Sequence, residues 1–180
     1  MKYMVAIPVP EPASSLVANL KTQLRPPGWH DTMPPHITLL SPDTPTLDVD
    51  DAASTFSRMR LAMPAAPIHA SKIGRFDRAG RHTIILLASP RIWLSNLQQA
   101  VLTRSNWQST ASTRKHNFEP HITLVNQTTL EGAAQAANTI IQAAIRVEFI
   151  CRNINLYCKG SHWPRWRVLS TKRLNKTSEI

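Results

Sequence analysis

A five-residue motif occurs twice in this chain and constrains its fold more than any other feature. Pro-His-Ile-Thr-Leu stands at residues 35–39 and again at residues 120–124. Polar and apolar side chains alternate in both copies, which is typical of a strand with one face in a core. Two such strands side by side would present two imidazoles and two hydroxyls to a common space. These polar side chains are His36, Thr38, His121 and Thr123.

The pattern around the motif is also repeated. Residues 3–76 and 83–157 both show a strand, a helix, a loop, a motif strand, a second helix and a closing strand, and the last of these spans residues 146–157. A further strand is predicted at residues 165–170, followed by a polar, mobile tail at residues 172–180. We therefore predict one α+β domain over the whole chain. It is bilobal, with two pseudo-twofold-related antiparallel sheets facing a central cleft and the helices outside.

Charge is distributed unevenly along the 180 residues, whose net charge is +10. Residues 1–51 hold only three of the 21 basic residues but six of the 11 acidic ones, so the rest of the chain is strongly basic. A basic surface of this size favours a polyanionic partner, of which RNA and nucleotides are the commonest soluble kinds. The alternative is a charge that serves solubility alone. No apolar run is long enough for a membrane span.

The cysteines indicate a reducing compartment. Cys151 and Cys158 are separated by an odd number of positions, so on one regular strand they would face opposite ways and could not pair. The first residues are typical of a strand and not of a signal peptide, so we expect a cytoplasmic monomer. His36 and His121 without a carboxylate or thiolate companion would make a poor metal site. We therefore expect no metal and no cofactor.

The doubled motif resembles the paired His-x-Thr/Ser signature of the two-histidine (2H) phosphoesterase superfamily. Its 2′-5′ RNA ligase / 2′,3′-cyclic phosphodiesterase branch is most similar. Ile-Gly-Arg-Phe at residues 73–76, followed by an apolar strand at residues 83–87, resembles that family's glycine-phenylalanine turn between two strands. The resemblance implies a bilobal fold with both motifs on the floor of the cleft. It also implies that His36 and His121 are the catalytic pair, and that Thr38 and Thr123 bind phosphate.

One departure from the family follows the second motif. Members of the RNA ligase branch often have an arginine there, whereas this chain has Val-Asn-Gln at residues 125–127. The phosphate contact could instead come from Arg114 or Lys115. Phe76 could stack on a base or fill the core at a tight bend. Trp163 and Trp166, interleaved with Arg165 and Arg167, could form a stacking rim or cover a sheet edge.

Paired histidines suit the opening of a 2′,3′-cyclic phosphate. In-line attack needs a base on the entering water and an acid on the departing ribose oxygen, and histidine can do either near neutral pH. Run backwards with a 5′-hydroxyl, the same groups would join RNA ends through a 2′-5′ bond. The sequence leaves both assignments of acid and base open. Two other hypotheses stand beside this one: cleavage of 2′-5′ oligoadenylates or cyclic oligonucleotide signals, and a non-catalytic RNA-binding module.

Overall fold

The computed structural model describes residues 1–25, 32–40, 48–105, 107, 118–160 and 165–175. Within these ranges the helices are α1 (Ala13–Gln23), α2 (Val49–Arg58), α3 (Arg91–Ser105) and α4 (Leu130–Gln142). The strands are β1 (Lys2–Pro8), β2 (His36–Leu40), β3 (Ala66–Arg78), β4 (Arg81–Ser89), β5 (His121–Thr128), β6 (Val147–Cys151), β7 (Asn153–Lys159) and β8 (Arg167–Arg173). None of the described helices is long and apolar enough to cross a membrane.

The eight strands form one antiparallel sheet in the order β6-β3-β4-β5-β2-β1-β7-β8. The α+β class is confirmed. The sequence predicted two separate sheets. The structure has one continuous sheet instead, whose two halves are joined where Ile37 of β2 pairs with Ile122 of β5. A physical reason is that each motif strand would otherwise present an open edge of unpaired backbone groups, and pairing with its counterpart satisfies them.

The sheet is pseudo-symmetric about this join. Each motif strand is flanked by the first strand of its own repeat, β1 beside β2 and β4 beside β5, and then by β7 and β3 respectively. The expected strand at residues 146–157 is divided at Arg152: β6 pairs with β3, whereas β7 crosses to the other half and pairs with β1. The prediction of one continuous strand was therefore wrong, because one segment serves both halves of the sheet.

One face of the sheet is covered by the helices, and the other carries the polar residues of the motifs. Val17 of α1, Phe56 of α2 and Leu94 of α3 belong to one buried cluster with the apolar side chains of the strands. A smaller cluster forms around Met4 and Tyr157 on the opposite face. The alternation within each motif strand thus separates a hydrocarbon core from a polar surface.

Two expectations about individual residues change. Cys151 and Cys158 are free, but both lie in the main core, because they belong to two different strands and not to opposite faces of one.

The predicted mobile tail is ordered through residue 175: Lys172 lies in β8, and Leu174 is only 4% exposed. The N–H of Leu174 donates to the carbonyl of Arg152 at 2.8 Å. Residues 176–180 lie outside the described part of the chain.

Candidate active site

The two motif strands bring their polar side chains together on one face. Burial alternates identically in β2 and β5, with Ile37 and Ile122 completely buried and the histidine and threonine of each motif partly exposed. Because the strands pair in antiparallel fashion through these isoleucines, each histidine lies across from the threonine of the other motif. The histidines are then diagonal neighbours, for which a separation of roughly 7–8 Å is typical.

The two imidazoles are held in the same way. The Nδ1 atom of His36 lies 2.8 Å from the carbonyl oxygen of Pro34, and that of His121 lies 2.7 Å from the carbonyl oxygen of Glu119. Both acceptors precede a proline, which favours an extended conformation of the residue before it. Since a carbonyl can only accept, each Nδ1 carries the hydrogen, and Nε2 is the acceptor nitrogen of each neutral ring.

An aromatic side chain from β3 completes the surroundings of His121. The rings of Phe76 and His121 meet edge to face, with centroids 4.9 Å apart and an interplanar angle of 77°. Phe76 is 40% exposed and lies inside β3, not at a bend or in the core. The turn comes later, where Ala79 and Gly80 have positive φ angles of 49° and 72°. The family resemblance pointed to Phe76, but its place beside His121 became visible only in the fold.

Burial of the imidazole sets the protonation of His121. Desolvation lowers its pKa below the usual 6.5, because the charged form loses more hydration on burial than the neutral form. The hydrogen bond to the Glu119 carbonyl and the charge of that residue act in the opposite direction, but less strongly. Burial therefore favours the neutral form of His121.

The threonines of the two motifs are both partly exposed. The Oγ1 atom of Thr38 donates to the Sδ atom of Met4 at 3.6 Å, a weak acceptor. Thr123 is partly exposed and pairs through its backbone with Ile85. Asn126 stands in the segment where the family often has an arginine, and its Oδ1 accepts from Thr83 at 2.9 Å. That amide thus ties β5 to β4.

Gly74 of β3 lies close against two side chains of β4, the neighbour of motif strand β5 in the sheet. A Cβ at this position would lie 3.1 Å from the side chain of Ile85 and 3.2 Å from that of Leu87. These two residues are the backbone partners of Thr123 and His121. A side chain at position 74 would thus press on the residues that support half of the site. The resemblance named this glycine, but not the packing that requires it.

Tyr157 was missed by the sequence reasoning. It stands in β7 at the place that Phe76 has in β3 on the other side of the join. Tyr157 is only 1% exposed, and its hydroxyl accepts from Asn155 at 3.1 Å, whose Oδ1 accepts from Thr171 at 3.0 Å. The alternation that sets Tyr157 and Asn155 on one face of β7 was the available signal.

Arg114, Lys115 and Trp163, proposed as substrate contacts, lie outside the described residues.

Comparisons with known proteins agree on the family. The model of the 2′-5′ RNA ligase superfamily matches residues 8–162. Among solved structures, Escherichia coli LigT complexed with 3′-AMP is 16% identical with a TM-score of 0.64, over 97% of this chain and 98% of that one. TT0787 of Thermus thermophilus is 18% identical with a TM-score of 0.64, over 98% and 99%. No curated protein matches the chain significantly. The resemblance seen in the sequence is thus confirmed for the family and for the α+β fold class.

Proposed function

Since the chain belongs to the 2′-5′ RNA ligase superfamily of two-histidine phosphoesterases, we propose that it opens 2′,3′-cyclic phosphates of RNA ends or nucleotides without a metal. The observation that carries the proposal is the antiparallel pairing of the motif strands through Ile37 and Ile122. It sets two imidazoles and two hydroxyls on the exposed side of the sheet. The net charge of +10 favours an RNA or nucleotide substrate.

We assign the two roles from the burial of His121. His121, whose pKa is lowered by burial, starts neutral and takes the proton of the attacking water at Nε2. The water oxygen forms its bond to phosphorus as one ring P–O bond breaks on the far side. His36 starts protonated and gives its Nε2 proton to the departing ribose oxygen. Its Nδ1–H continues to donate a hydrogen bond to the carbonyl of Pro34. Each proton transfer supplies on the order of 10²–10⁴ in rate.

Thr38 and Thr123 act on the charge that builds up on the non-bridging oxygens. Each threonine lies across the strand pair from a histidine, so a phosphorus between the two imidazoles is also within reach of the two hydroxyls. The sulfur of Met4 is a weak partner for Thr38, and the hydroxyl can turn to a phosphate oxygen at little cost. Donors placed in this way contribute about 10²–10³ in rate each.

Phe76 is the proposed contact for the base of the terminal nucleotide. Its edge-on approach to His121 and its 40% exposure leave part of the ring accessible beside the reacting phosphate. Stacking of a base on an aromatic ring contributes about 1–3 kcal/mol and tolerates any sequence. With a 5′-hydroxyl in place of water, the same arrangement would join two RNA ends in the reverse direction.

Hydrolysis of 2′,3′-cyclic mononucleotides in excess EDTA tests this proposal. We expect turnover in the wild type, and its loss in His36→Ala and in His121→Ala. His69→Ala is the matched control, because His69 is an exposed strand histidine that faces Glu148 at 3.5 Å. Thr38→Val and Thr123→Val should each lower kcat by about 10²–10³. Thr139→Val, in α4, should leave kcat unchanged, because among the residues that the structure describes that hydroxyl donates within its own helix, to the carbonyl of Gln135.

Full activity in either alanine variant at the motif histidines would refute the mechanism. A panel with 2′-5′-linked oligoadenylates and cyclic dinucleotides completes the experiment. Turnover confined to those substrates would replace the proposed activity with the signalling alternative. Salt-sensitive RNA binding without turnover of any substrate would identify a binding module instead.

A further inference from the structure

A basic groove of about 360 Å³ is lined in part by Pro34 and Pro35, the two residues that precede His36. One wall comes from α1 and from Arg25, two residues after its end, another from residues 32–35, which lead into β2, and the third from Arg165 and Trp166. Its charged lining consists of Lys21, Arg25 and Arg165, and no carboxylate is found among the described residues that line it. Lys21 is only 5% exposed, so the two exposed arginines are the charges that favour an anion here.

The groove is connected to the catalytic histidine through two prolines. Pro34 and Pro35 form part of its lining, and the carbonyl of Pro34 is the group that holds Nδ1 of His36 at 2.8 Å. The backbone N–H of Trp166 donates to the carbonyl of Thr32 at 3.1 Å, which ties the third wall to the second. Trp166 also packs against the cluster of Met4 and Tyr157, on the same sheet face as the motif side chains.

Arg25 and Arg165 are both exposed and belong to different parts of the chain. Two guanidinium groups that converge on one groove from separate segments are typical of phosphate recognition, because each can donate two parallel hydrogen bonds to phosphate oxygens. The side chain of Trp166 adds an apolar surface for a sugar or base. Such contacts position a nucleic acid without selecting its sequence.

We propose that this groove binds the phosphate on the 5′ side of the terminal nucleotide in an RNA substrate; this rests on the proposed function. With the base on Phe76 at the His121 side, the RNA chain leaves the site past His36. The group that the groove would bind is therefore a phosphate separated from the reacting phosphorus by one ribose. The groove makes the end of an RNA chain a better substrate than a cyclic mononucleotide.

The test compares three substrates: a 2′,3′-cyclic mononucleotide with a 5′-hydroxyl, the same compound with a 5′-phosphate, and a dinucleotide that ends in a cyclic phosphate. In the wild type the KM of the dinucleotide should be roughly tenfold below that of the 5′-hydroxyl mononucleotide, as expected for hydrogen bonds to a charged group. Arg25→Gln combined with Arg165→Gln should remove this preference. For the dinucleotide, the slope of log KM against log salt concentration should be smaller in this variant than in the wild type, by up to about 1.4.

Two further variants separate a charge effect from a structural one. Arg25→Lys with Arg165→Lys keeps both charges and should retain most of the salt slope. Arg146→Gln with Arg152→Gln removes the same charge from exposed positions outside this groove and should leave the substrate preference unchanged. The proposal is overturned if the wild type shows no preference, if the glutamine pair at positions 25 and 165 keeps it, or if the control pair also abolishes it. The 5′-phosphorylated mononucleotide carries the same phosphate and should share the gain. A gain that only the dinucleotide shows would mean that the second nucleoside, and not this phosphate, is recognised, and it would also overturn the proposal.

Failure of the proposed function gives a different result, namely no turnover of any of the three substrates by the wild type. Equilibrium binding of a 3′-phosphorylated dinucleotide then tests the groove directly. A salt-dependent Kd that rises roughly tenfold in the Arg25→Gln, Arg165→Gln variant supports the groove. A Kd that does not respond to these substitutions overturns it.

Discussion

Phe76 and His121 stand in an edge-to-face contact, 4.9 Å between ring centroids, although two different strands carry them and β4 lies between. Nothing local in the sequence connects the two residues. The contact depends on the register of β3 against β4 and of β4 against β5, which sets the two rings on the same face. The aromatic ring thus helps to keep water from the imidazole that we propose as the base.

Replacing Phe76 by alanine should raise the pKa of His121. Desolvation is the main cause of the lowered pKa, so removing the ring that covers the imidazole should move the value towards 6.5. NMR titration of His121 measures the shift, and the acidic limb of the kcat/KM profile should move to higher pH with it. Phe76→Tyr keeps the ring and is the control. An unchanged pKa in the alanine variant would show that the strands alone bury His121.

Burial of His121 should also make folding stability depend on pH. Its pKa in the folded protein lies below the usual 6.5, so the unfolded chain binds the proton more tightly. This contribution to stability is complete above about pH 6.5, falls as the pH decreases from there to the folded pKa, and then levels off. Urea unfolding of the wild type and of His121→Gln between pH 7.5 and pH 5 measures the difference. The wild type should lose more stability on acidification, whereas His69→Gln should behave like the wild type.

How much of this site was predictable depends on the range of the interactions. The alternation of residues 35–39 and 120–124 correctly placed Ile37 and Ile122 in the core, because the period of two is a local property of a strand. The direct pairing of these two strands was not encoded locally. It is the step that turned two expected sheets into one. The division of residues 146–157 at Arg152 was missed for a similar reason, since the apolar pattern continues through the break.

Gly74→Ala should disturb the active site more than the fold. The new Cβ would approach the side chains of Ile85 and Leu87 to 3.1 and 3.2 Å, so these side chains must move by a few tenths of an ångström. Where the neighbours cannot give, crowding of this kind costs about 1–3 kcal/mol, and the two residues it presses on are the backbone partners of Thr123 and His121. The Tm of thermal unfolding and the value of kcat/KM should both decrease.

Gly80→Ala is the matched control for this effect. Gly80 has a φ of +72° and open space around its Cα, so alanine there introduces backbone strain of about 1 kcal/mol without a clash. The control should lower stability but leave kcat/KM unchanged at a temperature where both variants are folded. Equal activity in the two variants would show that the contact of β4 with Gly74 does not support the site.

Leu174→Ala should destabilise the whole domain, although the residue lies six positions from the end of the chain. Leu174 is 4% exposed and belongs to the main core, and Asn175 exchanges backbone hydrogen bonds with Met63 and Ala65 at 3.0 and 2.9 Å. Removing a buried leucine side chain costs about 2–5 kcal/mol. The free energy of urea unfolding measures this loss, and Val168→Ala, a 52% exposed position of β8, is the control with little effect. A loss below about 0.5 kcal/mol, the level of an ordinary surface substitution, would show that this segment does not hold the core together.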